Sequence, residues 1–291
     1  MTVATGEAIH AFALRAELGE GPVWDATRSC LWCVDILAPA IHRLDLVTRE
    51  RNSWQAPAKI GWVLPAKPDY LVAGLADGLY RFTPDDGAFR LMAAVEPDRP
   101  GNRLNDATLG ADGSIWFGTM DDSERIESGR FYRFDGTVSD CGIAPTTITN
   151  GPALSPDGGT LYAVDTLAGE IRAYSVDAGG ALGAGRSFVR IDPDDGYPDG
   201  ICCDAEGGLW VGLWGGWCAR RYDAGGTLTD VTRFPVANVT KVALGGPDGR
   251  TAYATTARKG LGVAALAAQP LAGDIFCFTV RVGAPPRTLF I

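Results

Sequence analysis

Histidine is nearly absent from this chain, which has only two, His10 and His42, among its 291 residues. This scarcity argues against a catalytic triad that depends on histidine and against a zinc centre rich in histidine ligands. The two histidines also lack the spacing of a ligand pair. The chemistry of the protein must therefore depend mainly on oxygen atoms.

Positively charged residues are also fewer than negatively charged ones. The chain has 26 Lys and Arg residues against 35 Asp and Glu, a formal net charge of −9 and a pI near 4.8. Such a surface lacks the basic character that nucleic acid phosphates or anionic membranes require. We therefore expect neither nucleic acid nor a membrane as a partner.

Long apolar runs are absent as well, since no stretch approaches the about 18 apolar residues of a membrane span. The N-terminal stretch MTVATGEAIHAFALRAELGE is interrupted by Glu7, His10, Arg15 and Glu17. We expect a soluble, cytoplasmic protein without a signal peptide.

The cysteines number seven, which is odd, and a chain of this length can bury a sufficient core without disulfides. We therefore expect free thiols in a reducing cytosol. The motif CLWC at residues 30–33 resembles half of a zinc site, but no matching CxxC follows it. In YPDGICCDAEGG, alternation along a strand sends Cys202 and Cys203 to opposite faces, so we interpret both as packing residues.

Long amphipathic helices are missing too, and the best helical pattern is a short one at residues 262–268. This argues against an α/β barrel of similar length. Instead, 38 glycines and 18 prolines separate short runs rich in Val, Leu, Ile, Trp, Tyr and Phe. Such a pattern is typical of many short strands.

These runs repeat. Six units share a short first strand, a turn such as PDG or AEGG, an apolar second strand and a third short strand, which contains YRF in the second and third units. The units begin at residues 21, 63, 106, 151, 200 and 241. A period of roughly 40 to 50 residues predicts an all-β, six-bladed β-propeller. Stacked β-sandwiches are the competing architecture, but they do not predict six copies of one unit. We assign residues 1–291 to one propeller domain, with the run AFALRAE adding an outer strand that closes the last blade.

One position recurs in every unit, immediately before the predicted first strand. Its occupants are Glu20, Trp62, Asn105, Asn150, Asp199 and Thr240. Since the first strand of each propeller blade lines the channel, these residues are expected to converge at one mouth. Five of the six are polar, and apolar strand residues follow directly.

The two carboxylates of this set, Glu20 and Asp199, would repel each other at a partly desolvated mouth unless a cation lay between them. Asn150 adds an amide oxygen. These hard ligands suit Ca²⁺, Mg²⁺ or Mn²⁺. The alternative is that each polar side chain only caps a strand or turn by hydrogen bonding.

Several motifs resemble the SMP-30/gluconolactonase/LRE family, which includes regucalcin and bacterial sugar lactonases such as xylonolactonase. They are LGEGPVW (18–24), CVDI (33–36), NRLNDATLGADGSIWFGTM (102–120), ITNGPALSPDG (148–158), YPDGICCDAEGGLW (197–210) and TTARKGL (255–261). The resemblance spans almost the whole chain and is weakest in the second unit.

The resemblance implies one divalent cation held by Glu20, Asn150 and Asp199, the residues that the repeat also selects. It leaves Zn²⁺ and Fe²⁺ as further alternatives for the cation. It also implies substrate binding by Arg103, Asn105 and an acidic residue shortly after GTM. Strict spacing from Asn105 places this acidic residue near Ser123 in the run MDDSE. We assign the role to Asp122, with Asp121 and Glu124 as alternatives.

The expected function is metal-dependent hydrolysis of a small-molecule sugar lactone, such as xylono-, glucono- or arabinonolactone, to the aldonic acid in sugar catabolism. Asp199 is the expected general base. The alternatives are hydrolysis of other lactones or organophosphates, condensation of amines with aldehydes, and a non-catalytic calcium-binding or scaffold propeller.

Two further groups of residues have an open role. Trp62, Trp214 and Trp217 either form a platform for a sugar at the rim or fill gaps between blades. Lys241, Arg258 and Lys259 are interpreted as solvated surface residues, with substrate contact by one of them as the alternative.

Overall fold

A computed structural model describes residues 2–67 and 69–285 of the chain. Two short strands open it, β1 (Ala4–Glu7) and β2 (Ile9–Phe12). Six units of four strands follow around a central axis, apart from the last, which has three strands of its own.

The first three blades contain β3 (Gly19–Asp25), β4 (Cys30–Asp35), β5 (Ala40–Leu44) and β6 (Arg51–Gln55); β7 (Ile60–Pro65), β8 (Leu71–Leu75), β9 (Gly78–Thr83) and β10 (Ala88–Ala94); and β11 (Asn102–Leu109), β12 (Ile115–Asp121), β13 (Phe131–Phe134) and β14 (Val138–Asp140). Within each blade, consecutive strands pair antiparallel.

The last three blades contain β15 (Thr149–Leu154), β16 (Thr160–Asp165), β17 (Glu170–Ser175) and β18 (Arg186–Arg190); β19 (Tyr197–Cys203), β20 (Leu209–Trp214), β21 (Cys218–Tyr222) and β22 (Leu228–Arg233); and β23 (Val239–Gly245), β24 (Thr251–Thr256) and β25 (Ile275–Thr279). A 3-10 turn (Pro193–Asp195) precedes β19, and the helix α1 (Val263–Ala268) lies between β24 and β25.

The ring is formed by the first strands of the blades, each of which contacts the first strand of the next blade, including β23 with β3. The six-bladed propeller predicted from the repeats is confirmed. The apolar core lies between neighbouring blades: Trp32 and Phe82 belong to one cluster between the first two blades, and Trp62 and Phe117 to the next. This packing gives each blade two buried faces, as the near-continuous apolar runs require.

The N-terminal strands complete two outer edges. β2 pairs antiparallel with β25 and supplies the fourth strand of the last blade, while β1 pairs parallel with β22 as a fifth strand of the fifth blade. No helix among residues 2–67 and 69–285 has both the length and the apolar character needed to span a membrane.

The sequence interpretation found three strands per unit and missed the outermost fourth. These strands are short or largely exposed, as in β6 (RNSWQ) and β14 (VSD). They satisfy backbone hydrogen bonds and bury only a few apolar side chains, such as Val189 in β18, so the hydrophobic pattern that marks them is weak.

Each inner strand has an irregularity in its pairing with the second strand. The register shifts lie between Glu20 and Val23, Ile60 and Trp62, Leu104 and Ala107, Asn150 and Ala153, Pro198 and Ile201, and Val239 and Lys241. The recurring position therefore lies inside the first strand, at a bulge, and the prediction that it precedes the strand is wrong. A bulge turns a side chain away from the regular ladder, which explains how a strand residue can face the channel mouth.

Candidate metal and substrate site

Three bulges place the predicted ligands at the same end of the channel. Glu20 lies in β3, Asn150 in β15 and Asp199 in β19, and their exposed fractions are only 5%, 4% and 6%. The charges of Glu20 and Asp199 interact, because ionisation of one carboxylate opposes ionisation of the other. The structure thus brings two buried carboxylates and one amide together.

Burial raises the pKa of Glu20 to about 8, and the nearby negative charge of Asp106 adds to the effect. Within residues 2–67 and 69–285, the only hydrogen bond that its carboxylate accepts comes from the next backbone amide, that of Gly21, at 2.9 Å. Burial and the charge of Glu20 likewise raise the pKa of Asp199 well above its usual value. Among the described residues, no hydrogen bond reaches the Asp199 carboxylate.

Two buried carboxylates that lack a directly bound cationic partner fit a metal site, since a cation would relieve both the desolvation and the repulsion. Among the described residues no group of three or more His, Cys, Asp and Glu side chains is arranged to hold a metal. The predicted set has only two such side chains, and its third member is the amide of Asn150.

The orientation of Asn150 is fixed by its neighbours. Its Nδ2 donates to Thr166 Oγ1 at 2.9 Å, and its Oδ1 accepts from Asn105 Nδ2 at 3.0 Å. A carbonyl oxygen has two lone pairs, so Oδ1 keeps acceptor capacity for a cation. Asn105 also donates to the backbone oxygen of Thr149 at 2.7 Å.

The three predicted substrate residues are also brought together. Arg103, with an exposed fraction of 5%, donates from Nε to Asp122 Oδ1 at 3.0 Å and from Nη1 to Asn105 Oδ1 at 2.7 Å. Lys59, just before β7, donates to the same Asp122 carboxylate at 2.7 and 2.8 Å. Arg103 is thus held in place at the edge of the carboxylate pair.

The acidic run after β12 divides its roles among three residues. Asp121 organises the loop, because its Oδ2 accepts from the backbone amides of Arg125 and Ile126 at 2.8 and 2.9 Å. Asp122 faces Arg103, and Glu124 forms an ion pair with Lys259. The geometry supports Asp122 over Asp121 as the residue that acts with Arg103.

A buried ion pair was missed by sequence reasoning. Lys241 pairs with Asp106 across the channel, and the two side chains come from opposite blades, β23 and β11. Lys241 is only 7% exposed, so its interpretation as a solvated residue is wrong. The run NRLND could have indicated that Asp106 faces the channel. A bulge can turn two consecutive residues, here Asn105 and Asp106, toward the channel.

A glycine makes room for this pair. A Cβ atom at Gly200 would lie 2.5 Å from Cβ and Cγ of Lys241, closer than real side chains approach. Gly200, which follows Asp199 directly, therefore lets the lysine stem cross the inner strand of the fifth blade. The role of Gly200 is therefore steric.

The tryptophans differ in their surroundings. Trp62 is 1% exposed and packs against Phe117 between the second and third blades, so it is not part of the rim. Trp217 is 41% exposed, and Trp214 lies at the end of β20 beneath the ammonium of Lys259, 6.0 Å from the ring centroid. Trp62 therefore fills a gap between two blades, which is one of the two roles considered for the three tryptophans.

The cysteines form no disulfide, and all seven lie within the described residues as free thiols. Burial raises the pKa of Cys202 to about 12, which disfavours the reactive thiolate. Cys203 packs in the core between the fourth and fifth blades. The interpretation of this pair as packing residues agrees with these surroundings.

A cavity of about 420 Å³ occupies the channel beyond the bulges, on the side away from the carboxylate pair. Val23, Val63 and Ile201 line it, and the Asp106–Lys241 pair lies at its inner end. Glu20, Asn150 and Asp199 do not line this space. The ion pair thus lines this cavity, whereas the candidate ligands lie outside it.

Comparison with known proteins gives several extensive matches. The chain is 37% identical over 282 residues to the L-arabinolactonase of Azospirillum brasilense, covering 95% of this chain and 93% of that protein. It is 30% identical over 277 residues to the 6-deoxy-6-sulfogluconolactonase of Pseudomonas putida, covering 94% of each. The crystal structure of a calcium-binding protein, regucalcin, from Agrobacterium tumefaciens strain C58 superposes with a TM-score of 0.95 at 30% identity, covering 100% of this chain and 99% of that one.

The family model described as "SMP-30/Gluconolactonase/LRE-like region" matches residues 18–258. This match begins just before Glu20 and ends just before Lys259, so it includes all the inner strands and their bulges. The chain belongs to the SMP-30/gluconolactonase/LRE family.

Proposed function

We propose that the protein is a metal-dependent lactonase that hydrolyses a sugar lactone to the corresponding aldonic acid. The observation that supports it most is the buried pair Glu20 and Asp199, which lies beside Arg103 and has no cationic partner in direct contact among the described residues. The names of its relatives, an L-arabinolactonase and a 6-deoxy-6-sulfogluconolactonase, support the same reaction class.

Glu20, Asn150 and Asp199 would hold the divalent cation, for which Ca²⁺, Mn²⁺, Mg²⁺, Zn²⁺ and Fe²⁺ are the candidates. When bound, such a cation polarises the lactone carbonyl and makes water a better nucleophile. Two carboxylates and one amide leave further coordination positions for solvent and substrate.

Asp199 would act as the general base. One of its oxygens takes a proton from the attacking water, and the same carboxyl group then returns a proton to the ring oxygen as the carbon–oxygen bond breaks. Its burial excludes bulk water from the base, which strengthens electrostatic interactions within the site.

Arg103 and Asn105 would bind the substrate. The guanidinium donates charge-assisted hydrogen bonds to substrate oxygens, and the Asn105 amide orients hydroxyl groups. Asp122, fixed by Lys59 and Arg103, keeps the guanidinium in register and faces the sugar hydroxyls.

A non-catalytic calcium-binding propeller is a second candidate, because a similar solved structure is described as a calcium-binding protein, regucalcin. A scaffold of this kind needs the cation ligands but has no use for a buried guanidinium. The burial of Arg103 beside the carboxylates, with an exposed fraction of 5%, therefore favours the enzyme.

A pH-indicator assay tests the proposal, since each ring opening releases a proton. Chelator-treated protein would be offered xylono-, glucono- and arabinonolactone, first alone and then with each candidate cation. We expect turnover only with added cation. Turnover of the chelated protein equal to that of the loaded protein would contradict the metal requirement, and no turnover with any cation would favour the scaffold. The seven free thiols support a cytoplasmic setting for this reaction.

A further inference from the structure

Lys259 projects from a fixed point of the backbone at the channel mouth. Its amide donates to the carbonyl of Glu17 at 2.8 Å, and its own carbonyl accepts from Asn238 Nδ2 at 3.0 Å. These two contacts hold the loop after β24 against the chain that enters the first blade. The ammonium group is therefore positioned by the fold.

The side chain of Lys259 crosses toward the opposite side of the mouth. Its ammonium pairs with Glu124, which lies in the loop after β12 on the third blade, and rests over the ring of Trp214. The side chains of Lys259 and Glu124 are 32% and 36% exposed, so this pair lies above the buried carboxylates rather than among them.

The lysine is close enough to influence the site. Its partner Glu124 lies two residues after Asp122, whose carboxylate accepts from Arg103 Nε at 3.0 Å. Arg103 and Lys259 thus flank the carboxylates from the third and sixth blades, which face each other across the ring.

Both cations keep donors for a ligand, since Nη2 of Arg103 makes none of the contacts given below. Arg103 uses Nε and Nη1 on Asp122, Asn105 and the carbonyl of Leu104. The Lys259 ammonium has three donors, and Glu124 is its one side-chain partner among the described residues. Donors therefore remain for a ligand at the mouth.

Lactone hydrolysis creates the charge that such a cation would recognise. Water adds to the carbonyl carbon, the bond from that carbon to the ring oxygen breaks, and the ring oxygen takes a proton. The neutral lactone becomes a carboxylate, and one proton is released to solvent. A fixed ammonium therefore interacts more strongly with the charge that develops than with the neutral substrate.

We propose that Lys259 is a substrate-contact residue whose ammonium donates hydrogen bonds to the carboxylate that forms as the ring opens, a role that rests on the lactonase function proposed above. Lys259 keeps its proton throughout and contributes only charge and hydrogen bonds. Glu124 holds the ammonium in place and competes with the product for it.

The test compares Lys259→Met with Lys67→Met, a control at an exposed lysine. The substrate is glucono-1,5-lactone in the presence of the activating cation, with uncatalysed opening subtracted, and the inhibitor is its product, gluconate. For Lys259→Met we expect the inhibition constant of gluconate to rise and kcat to fall, each by about tenfold or more, because a charge-assisted hydrogen bond is lost. KM for the neutral lactone should change little, and Lys67→Met should behave like the wild type.

Glu124→Gln should have the opposite effect on inhibition by gluconate. Removal of the competing carboxylate should make gluconate a tighter inhibitor, whereas a merely structural Lys259–Glu124 contact would move both variants in the same direction. Equal gluconate inhibition in the wild type and Lys259→Met would overturn the proposal.

A second measurement keeps this proposal separate from the lactonase function. Calorimetric titration of gluconate into cation-loaded wild type and Lys259→Met needs no turnover. A wild-type protein without activity on the lactone would refute the lactonase function. Gluconate binding that is absent or independent of Lys259 refutes the proposed contact, whatever the activity.

Discussion

Asn105 Nδ2 donates to Asn150 Oδ1 at 3.0 Å, and this bond links the inner strands of the third and fourth blades. Asn150 Nδ2 donates in turn to Thr166 Oγ1. The chain of bonds fixes which end of the Asn150 amide faces the candidate cation, and it couples a residue assigned to substrate binding to one assigned to the metal.

Thr166→Val should weaken cation binding. The substitution removes the acceptor of Asn150 Nδ2 and frees the amide to rotate, so we expect a loss of about tenfold in affinity. Calorimetry with Mn²⁺ or Ca²⁺ on chelator-treated protein measures it. Thr137→Val, at an exposed threonine, is the control, and equal affinities of the two variants would contradict the orienting role.

Asp199→Asn should retain the fold and lose turnover. The amide keeps the shape of the side chain but cannot accept a proton from water at neutral pH. Circular dichroism would check the fold, and the lactone assay with saturating cation would measure the rate. A rate near that of the wild type would remove Asp199 from the role of base.

The metal-free protein should become less stable as the pH rises. Burial raises the pKa of Glu20 from its usual 4.5 to about 8, so between these values the folded chain holds a proton that the unfolded chain has released. The free energy of unfolding therefore falls across this range. Urea unfolding with chelator at several pH values should show this slope, and Glu20→Gln should flatten it.

Asp122 and Asp121 should respond differently to substitution. Asp122→Asn weakens the hold on Arg103, so we expect a several-fold higher KM for lactone, with unfolding free energy within about 0.5 kcal/mol of the wild type. Asp121→Ala removes the acceptor of two backbone amides, so we expect a loss of about 1–2 kcal/mol. Urea unfolding and steady-state kinetics of both variants test this, and a reversed pattern would exchange the two roles.

Gly74→Ala should destabilise the second blade. A Cβ atom at this position would lie 2.2 Å from Cε2 of Trp62, whose ring is buried against Phe117 and cannot withdraw. Overpacking of this kind costs about 1–3 kcal/mol. Thermal unfolding would measure the loss against Gly101→Ala, where a Cβ atom meets no neighbour within 4 Å.

The sequence predicted the ring and much of the site because both depend on repetition. Six similar units indicated six blades, and one position per unit selected Glu20, Asn150 and Asp199, which the structure places together. Strand periodicity alone could not show that these residues lie within strands, since a bulge leaves no apolar signature.

The sequence repeat could not predict strand pairs and ion pairs between segments that are distant in sequence. The parallel contact of β1 with β22 joins a largely exposed strand to a half-buried one more than 200 residues away, with no apolar pattern to mark it. Lys241 looked like a surface residue because its partner, Asp106, is distant in sequence and only the ring brings them together. Long-range charge pairing of this kind depends on the closed fold.

The bulges of the inner strands have a consequence for how this protein can change. A residue displaced from the ladder contributes little to the strand pairing that builds its blade, so its identity depends mainly on its neighbours at the channel mouth. Occupants as different as Glu20, Asn150 and Thr240 occur at or beside such bulges in one chain. A designer could therefore exchange the members of this ring one blade at a time, and new metal or substrate preferences become accessible without rebuilding the sheets.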